Sequence, residues 1–182
     1  MEGPIYRHSG VAHMNRTLHA LALGCLLLTA ACTRLPDGVR PVQGFELKRY
    51  LGEWHEVARM DHRFERGLTK VTATYSLRED GSVKVLNRGW NASKAQWKEA
   101  EGRAVFIGSS SEGRLKVSFF GPFYGAYTIL ALDPDRYSMV CGPNRSYFWI
   151  LAREPKLDGK TMETLLARAR EFGFATDQLI YL

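Results

Sequence analysis

From residue 53 to residue 153 the chain breaks into short β-rich runs parted by turn residues at nearly regular spacing, and this succession limits the fold more than any other feature. The runs are 53 to 60, 70 to 78, 82 to 90, 97 to 107, 114 to 120, 124 to 132, 136 to 141 and 146 to 153. In the second, Val71, Ala73, Tyr75 and Leu77 alternate with Thr72, Thr74 and Ser76, the period-two pattern of a strand with one apolar face. Glu79-Asp80-Gly81 and Asp133-Pro134-Asp135 supply tight turns. Eight such strands in series predict an all-β fold, an eight-stranded antiparallel up-and-down β-barrel whose interior holds side chains or one small ligand.

A helical pattern follows the strands. Met162, Leu165, Leu166, Ala169 and Phe172 fall on one stripe, and Gly173 supplies the stop. The eighth run is apolar on both faces, as a strand covered on both sides should be, so the spacing predicts one C-terminal α-helix packed outside the barrel. Residues 178 to 182 can add a last short strand.

The ends of the barrel can be sorted by counting passes. Gly52 lets the backbone turn just before Trp54, and an indole there can plug the floor of a small barrel. Eight alternating passes return Arg153 to the same end, where its guanidinium can lie across the Trp54 ring and bond carbonyls at the start of the first strand. Gly52, Trp54 and Arg153 are therefore the expected structural floor. The mouth then consists of 60 to 68, 91 to 96, 121 to 124 and 142 to 145, while 79 to 81, 108 to 113 and 133 to 135 close the floor.

Upstream, Met14 to His19 is a short basic start, and Ala20 to Leu28 is an uncharged run too short to span a bilayer as a mature helix. Small residues Ala30-Ala31 precede Cys32, the arrangement of a cleaved signal peptide. Leu28-Thr29-Ala30-Ala31-Cys32 resembles the lipobox of bacterial lipoproteins, which implies acylation of Cys32. The expected organisation is 1 to 31 as upstream extension and cleaved signal peptide, 32 to 44 as lipidated N-terminus and tether, and 45 to 182 as the barrel with its helix. Thr33 is not the Asp that favours inner-membrane retention, so the outer membrane is the expected address, with the protein facing the periplasm. Cys141 is left without a partner and is expected to be a buried, inert thiol. The net charge of +6 is dispersed along the chain, which argues against a nucleic-acid partner.

Longer strings sharpen the fold. Gly52-Glu53-Trp54, the turn Ala131-Leu132-Asp133-Pro134-Asp135-Arg136-Tyr137 and Arg153 resemble the three motifs of the lipocalin family. Phe64-Glu65-Arg66-Gly67, Thr72 to Leu77, Lys116 to Gly125 and Trp149-Ile150-Leu151-Ala152-Arg153 resemble its bacterial outer-membrane lipoprotein branch, and the likeness runs over 45 to 182. The resemblance implies a membrane-anchored binder of fatty acids, lysophospholipids or similar amphiphiles; no enzymatic activity and no cofactor are expected, and no closely spaced Cys/His set suggests a metal.

The mouth carries Arg63, Arg66, Arg145 and nearby Lys70 with Phe64, Trp90, Phe123, Tyr124 and Tyr147, a composition suited to an anionic head above an apolar chain. Burying a methylene contributes about 0.8 kcal/mol, so an acyl chain has ample driving force to enter. Strand parity from Arg153 places Tyr147, Trp149 and Leu151 inward and Phe148 and Ile150 toward the helix. The same alternation nominates Tyr75, Leu77, Val85, Asn87, Phe106, Val117, Phe119, Tyr127 and Ile129 as lining. With the mouth residues Phe64, Arg66, Trp90, Tyr124, Tyr147 and Trp149, these form the expected ligand site. Two alternatives remain open: an envelope stress or assembly lipoprotein acting through protein contacts or homodimerisation, and a lipocalin-type enzyme, for which Cys141, His55 and His62 form no recognisable catalytic arrangement.

Overall fold

The computed structural model describes residues 33–182. The expected signal peptide and Cys32 lie outside the described residues. After a single turn of helix, α1 (Leu47–Tyr50), eight antiparallel strands follow in order: β1 (Gly52–Arg59), β2 (Leu68–Leu77), β3 (Val83–Asn91), β4 (Gln96–Phe106), β5 (Arg114–Phe120), β6 (Phe123–Asp133), β7 (Tyr137–Cys141) and β8 (Phe148–Ala152). Each pairs with the next, and β1 closes the barrel by pairing with β2 through its first half and with β8 through its second. Helix α2 (Gly159–Glu171) follows, and a short β9 (Ile180–Tyr181) pairs with the end of β1.

Two apolar clusters divide the strand faces. The inner one fills the lower barrel around Phe45, Tyr50, Trp54, Tyr75, Leu115, Ile129 and Leu151. The outer one joins Val57, Ala58, Met139, Cys141, Phe148 and Ile150 to Leu165, Ala169 and Phe174. Phe148 stacks on Phe174 with ring centres 4.4 Å apart. The stripe on α2 thus finds its partner in β7, β8 and β1. Asp158 caps the helix by accepting the Thr161 N–H at 2.9 Å.

The floor has the expected geometry. Trp54 is fully buried and donates its indole N–H to the Tyr50 carbonyl at 2.8 Å. The Arg153 guanidinium lies 3.7 Å from the centre of the Trp54 ring and donates to the carbonyls of Pro134 (2.9 Å), Glu53 (2.9 Å) and Arg49 (2.8 Å). Gly52 has φ +97, and a Cβ there would meet Arg153 Nη1 at 3.4 Å, so glycine serves both the turn and the close approach.

Residues 37 to 45 form a strap down the outside of the barrel. At the mouth end Arg145, in the β7–β8 loop, donates to the Asp37 carbonyl at 2.7 Å. Val39 is buried in the outer cluster, and at the floor Val42 N–H bonds the Ile129 carbonyl (2.9 Å) while Phe45 N–H bonds that of Ser111 (2.8 Å). The stretch read as a tether is therefore packed from Asp37 onward.

Candidate functional site

Inside the barrel a shelf of tyrosines separates two voids. Tyr127 sits at its centre, its hydroxyl 2.6 Å from that of Tyr50 and 2.7 Å from that of Tyr75, and Tyr50 reaches Ser138 Oγ at 3.1 Å. Burial pushes the Tyr50 hydroxyl up to about 12 and lifts those of Tyr75 and Tyr127 well above the ordinary phenol value, so the three stay protonated. Beneath the shelf is a remnant of about 10 Å³ among Phe45, Leu47, Val83, Ala104 and Leu115.

Above it lies the main cavity, about 90 Å³. Its walls are Val71 and Ala73 from β2, Val85 and Asn87 from β3, Val117 and Phe119 from β5, Tyr127 from β6, Val140 from β7, and Trp149 and Leu151 from β8. Gly102 of β4 faces Phe119 so closely that a Cβ would stand 2.9 Å from the ring, so the missing side chain is what admits this aromatic to the wall.

Two carboxylates complete the wall, Glu56 from β1 and Glu65 from the β1–β2 loop. Glu56 shares the inner face with Trp54. A bulge between Glu56 and Ala58 then sends Val57 and Ala58 outward and returns Arg59 to the interior. Arg59 is almost completely buried; its Nη1 donates to Glu56 Oε1 at 2.7 Å and its Nη2 to the carbonyls of Glu65 (3.1 Å) and Leu68 (3.3 Å), which ties the mouth loop down. Trp149 donates its indole N–H to Glu65 Oε2 at 3.1 Å. His62 Nε2 stands 3.1 Å from the same oxygen in an ion-pair contact, and its Nδ1 has no hydrogen-bond partner. Burial, then the neighbouring Glu65 charge, holds the Glu56 carboxyl well above the usual carboxylate range despite Arg59. Burial also pushes on Glu65, but the adjacent His62 and the Trp149 bond outweigh it and hold Glu65 below its ordinary value. Of the two carboxyls, Glu56 holds its proton more tightly and Glu65 less.

Of the residues expected to line the ligand site, Tyr75, Val85, Asn87, Val117, Phe119, Tyr127 and Trp149 surround the cavity. Phe106 and Ile129 belong to the packed floor, with Phe106 6.0 Å from Phe45. Leu77 keeps the parity of Tyr75 but lies beyond the last β1 partner and is 55% exposed. Trp90 is on the outer face, because Gly89 is the inward residue there, packed under Leu68 and Val71; Trp90 meets Trp97 at 5.5 Å. Tyr124 is also outside, beneath Lys116 Nζ at 4.9 Å. Phe64 and Tyr147 gather at the mouth around His62, at 5.9 and 5.8 Å.

The expected cationic rim is spent elsewhere. Arg66 forks onto Asp61 in solvent, with Nη2–Oδ2 at 2.7 Å, and Arg63 covers the Phe64 ring at 5.1 Å. Arg145 bonds the carbonyls of Phe172 and Asp37, and Lys70 sits exposed at a bulge of β2. The acids Glu56 and Glu65 were absent from the expected set, although strand parity with Trp54 already places Glu56 inward.

A family model described as a lipocalin-like domain matches residues 45–182. The chain belongs to the lipocalin-like family. Among similar proteins is outer membrane lipoprotein Blc of Vibrio cholerae, 50% identical over 160 residues that cover 87% of this chain and 94% of the relative. Outer membrane lipoprotein Blc of Escherichia coli K12 is 48% identical over 167 residues, 91% of this lipocalin and 94% of the relative. Insecticyanin of the tobacco hornworm superimposes with a TM-score of 0.66 at 21% identity, over 81% of this chain and 85% of that one, a likeness of fold.

Proposed function

We propose that this lipocalin is a lipid carrier of the bacterial cell envelope, held in the outer membrane by a lipid on Cys32, facing the periplasm, and binding one single-chain amphiphile such as a fatty acid or lysophospholipid. The observation that carries this reading is the largely apolar cavity inside the barrel, with a few convergent polar groups. The Blc relatives, named as outer membrane lipoproteins, support the address. At about 90 Å³ the void is narrower than a usual small-molecule pocket. An acyl chain threads it as Phe119 and its neighbours turn aside, driven by about 0.8 kcal/mol per methylene.

A binding role fits the chemistry better than catalysis. Burial pushes the Cys141 thiol up to about 12, and it packs in the outer cluster, away from the cavity. An alternative role through protein contacts or a homodimer is favoured by Phe120 and Phe123, 74% and 78% exposed on the β5–β6 turn.

Native mass spectrometry of the full chain carrying Cys32→Ser, offered fatty acids and lysophospholipids, tests the carrier reading. Retention of one lipid per chain is the expected result, and a chain that retains none refutes it.

A further inference from the structure

We propose that the open rim of the barrel is a membrane-docking surface, in which aromatic side chains from three loops enter the headgroup layer of a bilayer and the lysines beside them meet anionic lipid. The occupant is the membrane surface and not the cargo of the cavity. Docking adds to the carrier reading, and only its address rests on the proposed lipid at Cys32.

Six large apolar side chains are exposed among the described residues, and four of them stand at this end of the barrel. Phe120 and Phe123, the two most exposed, are Cα partners across the β5–β6 turn, so their rings project on one side of it, and neither belongs to an apolar cluster. Phe64 projects from the β1–β2 loop, and Trp97 from the start of β4, just past the β3–β4 turn. The other two are Leu77 at the floor and Tyr181 on β9. Apolar surface gathered at one end in this way marks a contact, and aromatic rings suit the boundary between headgroups and acyl chains.

The charges beside the rings are positive. Lys70 on β2, Lys94 in the β3–β4 turn and Lys98 on β4 are exposed and join no ion pair among the described residues. The acids of the rim are committed, Asp61 to Arg66 and Glu99 to Arg88, while Glu65 lines the cavity. A second copy docking through the same patch would bring lysine against lysine. An anionic headgroup layer meets them with the opposite sign.

The chain toward Cys32 leaves from the same end. Arg145 holds the Asp37 carbonyl at the mouth, and only residues 33 to 36 lie between that point and Cys32. One tether limits distance but not tilt; rings on three loops fix the tilt.

Residues 33–182 hold the closed barrel, both apolar clusters and the strap, a unit with its own core that leaves out the apolar leader and Cys32. Flotation of this unit with vesicles of phosphatidylethanolamine containing a quarter phosphatidylglycerol, and with phosphatidylcholine vesicles, measures docking without an anchor. Wild type should float, and better on the anionic vesicles. Phe120→Ser combined with Phe123→Ser should lower the partition coefficient at least about tenfold at an unchanged urea midpoint, because both rings lie outside the core. Lys94→Gln combined with Lys98→Gln should lower it at least about threefold on the anionic vesicles and leave it unchanged on the neutral ones. A wild-type chain that stays unbound, or equal flotation by wild type and both variants, overturns the inference. So does a sedimenting dimer that the phenylalanine variant dissociates while vesicle binding stays the same, which would assign the rings to a second copy. Native mass spectrometry of the phenylalanine variant with lysophospholipid reads carriage separately. Lipid retained as by wild type, with docking lost, is the expected result; retention lost as well would mean that the rings serve the cavity and would overturn the docking role.

Discussion

Replacing Arg153 with Leu isolates what the floor contributes to stability. The guanidinium makes three hydrogen bonds to carbonyls and covers the Trp54 ring. A hydrogen bond from a charged group contributes roughly 1.5 to 3 kcal/mol when water is excluded. Only the bond to Pro134 O is partly buried; those to Glu53 O and Arg49 O are exposed, so water can replace them and each falls to about 0.5 kcal/mol. The contact over Trp54 adds about 0.5 to 1 kcal/mol. Arg153→Leu should therefore destabilise by about 3 kcal/mol, read as a lower urea midpoint at unchanged slope in equilibrium unfolding. Arg153→Lys should recover less than about half, because one ammonium cannot span three carbonyls and a ring. A double-mutant cycle with Trp54→Leu should return a coupling near 1 kcal/mol. An Arg153→Leu midpoint within about 0.5 kcal/mol of wild type would show that Arg153 does not bind the two ends of the barrel wall together and would refute the reasoning.

Two further predictions follow from the interior. The Glu56 carboxyl is raised above its unfolded value of 4.5, so its contribution to stability is complete below that pH and is lost as pH rises through its folded value; Glu56→Gln should flatten this decline, and parallel stability–pH curves for the two proteins would contradict the assignment. Tyr127→Phe removes the hub of the tyrosine shelf and leaves Tyr50 and Tyr75 short of a partner, so it should cost about 1 to 3 kcal/mol in thermal or urea unfolding, whereas a loss below about 0.5 kcal/mol would mean the hydroxyls are satisfied otherwise.

Much of this architecture can be read from local pattern. The alternation from Val71 to Leu77, the turn at Glu79-Asp80-Gly81 and the stripe on α2 each carry a period that one element alone satisfies. The pairing of Trp54 with Arg153 needs only a count of passes. The mouth is different, because side chains there answer to partners that no period announces. Arg66 and Arg145 look like rim cations in sequence, yet Asp61 and two carbonyls claim them. Trp90 and Tyr124 are aromatic enough for a pocket, but the inward positions beside them are the small Gly89 and Gly125, and the rings lie outside. Arg59 becomes an interior residue only through the bulge after Glu56, which shifts parity by one. Glu65 enters the cavity by way of a loop, where alternation gives no guidance at all.

The strap from Asp37 to Phe45 also acts as a leash of known length. It leaves the barrel beside Arg145, at the mouth, rather than at the floor where α1 begins. Four residues separate Asp37 from Cys32, five Cα-to-Cα steps with a reach of at most about 18 Å even when fully extended. A lipid on Cys32 would therefore pull the open rim, with Phe64 and the β5–β6 turn, down toward the bilayer and keep the Trp54 end pointing away. Mouth and anchor would then lie at the same end of the barrel.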